Sequence, residues 1–145
     1  MKKLSIALFM FMAFSAFAGN HENLVGDWSF NVEKFKASDE YKEALKDPQA
    51  GQMMPFILNM FSKMKFTFTK TEAVANIPSP DGNNKVEKAT YTVVADTGNT
   101  LEVKTKGAED KEETMVITFI DAKNIKMEPK AKQSGPMGSI YLIKK

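Results

Sequence analysis

Leu24-Val25-Gly26-Asp27-Trp28-Ser29-Phe30-Asn31-Val32-Glu33 is the stretch whose reading decides the fold. Leu24, Gly26, Trp28, Phe30 and Val32 share one face, with Asp27, Ser29, Asn31 and Glu33 on the other. Alternation with a period of two is the mark of a half-buried β-strand. Downstream the period changes. Ser38 is a plausible N-cap for a short helix over Asp39 to Lys46, with acidic residues in its first turn and Tyr41 and Leu45 four apart. Pro48 and Gly51 are read as its break. A second helix is expected from Gln52 to Lys63, with Pro55 in its first turn. Met53, Ile57, Met60 and Met64 form its apolar stripe, and Met54, Leu58 and Phe61 the adjoining flank.

From Met64 the period of two returns. Met64, Phe66 and Phe68 alternate with Lys65, Thr67 and Thr69. A weaker strand runs from Ala73 to Ile77, and Pro78 to Asn84 is the strongest turn in the chain. Lys85 to Ala95 sets Ala89, Tyr91 and Val93 on one face, and Thr100 to Lys106 sets Leu101 and Val103 inward. Gly107 to Glu113 reads as a charged loop, and Met115 to Ile120 as a strand apolar on both faces. Ile125 to Glu128 follows, then a loop with Gly135 and Pro136, then a closing strand from Met137 to Lys144. About eight short strands at turn-separated spacings, with helices only between the first two, describe an antiparallel meander. Such a sheet is best satisfied by closing on itself. The expected class is mainly β: an antiparallel up-and-down barrel with a helix-turn-helix segment between strands 1 and 2.

Residues 1–18 fix where the chain works. Lys2 and Lys3 form a positive start, Leu4 to Phe14 is almost uninterruptedly apolar, and Ala16-Phe17-Ala18 is a small-x-small cleavage site. This reads as a secretory signal peptide with the cut before Gly19, leaving residues 19–145 as one barrel domain. The apolar run falls short of the roughly 20 residues a membrane span needs. An exported protein, periplasmic or secreted, is expected, and the short signal and lysine-rich composition look bacterial. All 20 basic residues are lysines, against 18 acidic ones. Losing Lys2 and Lys3 leaves the mature chain balanced. With neither arginine nor a basic patch, nucleic-acid binding is not expected. The absence of cysteine excludes disulfides, thiolate metal sites and a cysteine nucleophile.

Few motifs point to chemistry. Ser62-Lys63-Met64-Lys65 has the Ser-x-x-Lys spacing of penicillin-recognising enzymes but lacks its companion elements. Asp81-Gly82-Asn83-Asn84 has Lys85 where a calcium ligand would stand, and reads as a turn. Glu109-Asp110 and Glu112-Glu113 sit in a solvated loop rather than a cleft. His21, the one histidine, is expected in a disordered N-terminal tail. The methionine stripe has three readings: thioethers for Cu(I), a malleable lid over variable ligands, or ordinary core. No histidine or cysteine joins it, which weighs against the metal, and no cofactor is expected.

Gly26-Asp27-Trp28 resembles the Gly-x-Trp signature of the lipocalin or calycin superfamily. Val25 to Trp28, Glu33-Lys34-Phe35 and Glu40 to Leu45 together are similar to the start of the fatty-acid-binding proteins, where the first strand runs into a helix-turn-helix lid. The closing Ser139-Ile140-Tyr141-Leu142-Ile143-Lys144-Lys145 fits the same plan. The resemblance implies a barrel with an interior cavity for a small apolar ligand. Tyr141 matches the tyrosine that holds a ligand carboxylate there, while Ser139 stands where an arginine would be. The expectation is a non-enzymatic carrier of an apolar or lipid-like molecule. Phe66, Phe68, Tyr91, Leu101, Val103 and Phe119 would line the upper cavity, Met60 and Phe61 would belong to the lid, and Tyr141 would supply a polar contact. The alternative is a cell-envelope interaction or structural module with a solid barrel.

Overall fold

A computed structural model describes residues 20–107, 109–131 and 138–145. The signal-peptide reading, the Gly135-Pro136 loop and Met137 lie outside them. The strands are β1 (Gly26–Phe30), β2 (Lys65–Phe68), β3 (Glu72–Pro78), β4 (Asn84–Asp96), β5 (Thr100–Lys106), β6 (Glu112–Phe119), β7 (Asn124–Pro129) and β8 (Ile140–Lys144). They pair in chain order, all antiparallel, and β1 closes the barrel by pairing with β8 as well as β2. Trp28 stands at the closure, opposite Phe66 on one side and Lys144 on the other. The expected eight-stranded up-and-down barrel is the observed one.

The segment between β1 and β2 holds three helices rather than two: α1 (Val32–Ala37), α2 (Asp39–Ala44) and α3 (Pro48–Ser62). The first strand ends at Phe30, not Glu33, because the Asn31 side chain accepts from Lys34 N at 3.0 Å and starts α1. Ser38 caps α2 as expected, accepting from Tyr41 N. Pro48 and Gly51 do not break the chain. Asp47 accepts from Gln49 N and Ala50 N at 2.8 and 3.3 Å, so Pro48 takes the first position of α3, where its missing N–H is harmless.

The meander gives the barrel two unlike ends. At one end lie the turns after β2, β4 and β6, together with helical residues 20–24. This half is packed solid by Leu24, Trp28, Tyr91, Leu101, Ile117 and Leu142. The N-terminal residues are its plug, which corrects the disordered-tail reading of His21. Trp28 Nε1 donates to Leu24 O at 2.8 Å, and Lys144 Nζ donates to Asn23 O at 2.8 Å while lying 5.4 Å from the Trp28 ring centroid. Gly26 makes room for that lysine: its φ is +135°, and a Cβ there would stand 3.1 Å from Lys144 Cε. Tyr91 OH donates to Thr69 O, so His21 Nε2, 3.1 Å from the phenol oxygen, is the donor in their contact.

The helices, the β3–β4 turn and the β5–β6 loop belong to the other end. There Phe30, Phe35 and Met54 form a second core with Tyr41, Ile57, Leu58, Phe61 and Tyr141 around it. The buried face of α3 is therefore Met54, Ile57, Leu58 and Phe61, which is the whole flank joined by Ile57 alone of the expected stripe. Met53 is 58% exposed and Phe56 57%. Beginning four residues early as a continuous helix, α3 presents the neighbouring face to the barrel. A polar cluster ties α2 to the barrel wall. Ser139 Oγ donates to Glu40 Oε1 at 3.0 Å, and Lys126 Nζ lies 2.9 Å from Glu128 Oε2 and 3.8 Å from Glu40 Oε1.

Candidate functional site

The barrel interior is filled for only part of its depth. In β3 and β4 the inward positions fall to methyl-sized side chains. Ala75 lies opposite Phe66, Ala73 opposite both Phe68 and Ala89, and facing residues in an antiparallel pair share one side of the sheet. Where leucine or valine would have met the opposite wall, alanine leaves space. The result is a cavity of about 970 Å³ at the helical end, with Phe66, Phe68, the three alanines and Met127 for an apolar floor. Ligand pockets run to about 300–1,000 Å³.

Its mouth is charged. Lys85, Glu87, Lys88, Glu109, Lys111 and Glu113 surround it, with Thr105 between floor and rim. Lys85 Nζ lies 2.6 Å from Glu87 Oε1, and Lys111 Nζ 3.2 Å from Glu113 Oε1. The hydrogen bond to Glu87 holds the Lys85 ammonium above its usual range. Thr105 Oγ1 donates to Glu113 O at 3.2 Å and pins β5 to β6 at this level.

Of the residues expected to form the site, Phe66 and Phe68 line this cavity. Tyr91, Leu101, Val103 and Phe119 do point inward but pack in or against the solid half. Burial there pushes the Tyr91 phenol up to about 12. Tyr141 faces the helices from outside the barrel wall, its hydroxyl 3.5 Å from Glu40 Oε2. Burial, then the Glu40 charge, raises its phenol above the ordinary range. Phe61 belongs to the helical core, Met60 is half-buried on α3, and among the described residues the lining contains no helical side chain. The helices thus form a core of their own, not a roof whose side chains reach into this cavity. The thioethers are likewise dispersed, Met53 facing solvent and Met54 buried in the helical core. Among the described residues no three His, Cys, Asp or Glu side chains are grouped to hold a metal.

The alanines, Met127, Glu87 and Glu113 were not anticipated as site residues. The signal is in Ala73-x-Ala75, two small residues on one face of a strand whose partner β2 carries phenylalanines. In comparisons with known proteins, no family model, no curated protein and no solved structure matches the chain.

Proposed function

We propose that this is an exported, non-enzymatic carrier of an amphiphilic or apolar small molecule, held in the open half of the barrel. The observation that carries the reading is the cavity of about 970 Å³ with an apolar floor and a polar mouth. A barrel built only as a scaffold gains by filling its interior, since a void forfeits dispersion contacts. Export fits the apolar segment and cleavage site of residues 1–18. Kinship with the lipocalin-like barrels is supported by the Gly-x-Trp strand; the chain departs from them in having Lys144, not an arginine, over Trp28 from the last strand. The test is native mass spectrometry of protein purified from its own host, with N-terminal sequencing. A chain starting at Gly19 with a small molecule released on denaturation is expected. An uncleaved chain would overturn export. A protein that carries nothing and takes up nothing from a total lipid extract would overturn the carrier.

One observation favours a second reading. Leu45, Met53 and Phe56 leave apolar surface exposed on the helical segment, as an envelope interaction module would. Such a module would keep its partner binding after the cavity is filled by mutation, whereas the carrier would lose its ligand.

A further inference from the structure

The mouth of the cavity is layered in charge, and the layering repeats on two strands. Reading outward along the inward face of β4, the residues are Tyr91, Ala89, Glu87 and Lys85. Along β6 and into the loop before it they are Ile117, Met115, Glu113 and Lys111. Each line passes from apolar to carboxylate to ammonium. Exposure follows the same order: the Glu87 and Glu113 side chains are 52% and 41% exposed, against 71% and 74% for Lys85 and Lys111. A molecule lodged on the Phe66–Ala75 floor therefore meets two carboxylates and the Thr105 hydroxyl first. Lys85 and Lys111 beyond are already engaged by those carboxylates at 2.6 and 3.2 Å, while Lys88 takes the alternate face of β4.

We infer that the cavity, if it holds an amphiphile as proposed above, selects one whose polar group next to the chain donates hydrogen bonds. An ammonium or hydroxyl head fits; a free carboxylate does not. Ionised carboxylates only accept, so an amine or alcohol satisfies them. A ligand carboxylate would have to displace Glu87 and Glu113 from their lysines and lie beside like charge. The charge-assisted bond favours the amine over the alcohol, and salt screens that part because the mouth is open to water.

The experiment uses three ligands with one chain and different heads: dodecylamine, dodecanol and dodecanoate, titrated below their aggregation limits at pH 7 and followed calorimetrically. The amine should bind about tenfold more tightly than the carboxylate, with the alcohol between. In Glu87→Gln/Glu113→Gln the amine should fall to within about twofold of the alcohol, whose own affinity changes little. Added salt should weaken the amine alone. Dodecanoate binding as tightly as the amine would overturn the head-group inference and leave the cavity reading standing. Binding of none of the three, by a protein whose circular dichroism shows it folded, would overturn the cavity reading and this inference with it.

Discussion

Ala75→Leu separates a real cavity from a gap that the protein closes in solution. In a filled interior, inserting a larger side chain costs about 1–3 kcal/mol through strain. At Ala75 the new side chain would enter the space between Phe66 and Glu87. Three added carbons are worth about 2.4 kcal/mol if fully buried, at roughly 0.8 kcal/mol each. The cavity is open at its mouth, so about half of that is realised. Ordering the leucine costs a further 0.5–1 kcal/mol or so. The net expectation is unchanged stability or a gain of up to about 1 kcal/mol, roughly 4 °C for a domain of this size. Leu101→Ala, in the solid half, should instead lose about 2–5 kcal/mol. Urea unfolding followed by Trp28, the sole tryptophan and buried, reads both variants against the parent. A loss above about 1 kcal/mol for Ala75→Leu would refute the open interior. Unchanged dodecanol binding by the same variant would refute this cavity as the ligand's place.

Other changes test the surrounding elements. Met54→Ala should cost about 2–4 kcal/mol and Met53→Ala less than about 0.5, because only Met54 is buried under α3; paired urea melts check this. Gly26→Ala should lose about 1–3 kcal/mol, since the left-handed φ and the 3.1 Å approach to Lys144 both oppose a Cβ. The same melts apply, and Lys144→Ala should not restore the loss, because the backbone strain remains. For Glu40, burial raises the pKa, but hydrogen bonds from its own backbone and Ser139 and the Lys126 charge outweigh it, and the group is held below 4.5. Its contribution is therefore present above about pH 4.5 and lost as pH falls through the lower folded value, so Glu40→Gln should flatten stability against pH in that acid window alone. Tyr91 runs the other way: raised to about 12, its protonated form favours the fold, and stability should decline between pH 10 and 12. Absorbance at alkaline pH should show the late ionisation of Tyr91 disappear in Tyr91→Phe, while that of Tyr141, also raised above the ordinary range, remains.

The barrel was legible because its signals are local. Period-two alternation and turn chemistry at Pro78 to Asn84, Asp96 to Asn99 and Asp121 to Asn124 set strands and hairpins without long-range information. The helical face was not legible in the same way. Met53, Met54, Ile57, Leu58, Met60 and Phe61 leave α3 apolar nearly all round, so periodicity cannot choose a side. What chose it was the Asp47 cap and the aromatic partners Phe30 and Phe61, whose rings lie 5.4 Å apart. The place of His21 is hidden in the sequence for a related reason. Its role depends on Tyr91, 70 residues away, and no local pattern announces that contact.

The site was missed in part because large side chains draw attention and small ones make cavities. Tyr91, Leu101, Val103 and Phe119 point inward as expected, and that is why they fill the half of the barrel they occupy. The open half is made by what β3 and β4 lack. Ala73, Ala75 and Ala89 form a patch of missing volume facing Phe66 and Phe68 across the register. Strand β4 then turns polar at inward positions, Glu87 and Lys85, where a solid core would have continued apolar. Small residues followed by inward charges on one strand face are costly for a packed interior and useful for a solvated mouth. The packed end carries the complementary burden. Leu24, Trp28 and Lys144 lock the closure between the first and last strands, so that stability is concentrated away from the open half. On that division, filling the alanine patch should change binding with little loss of stability. Cutting into the Leu24–Trp28 plug should lower stability before it alters the shape of the mouth.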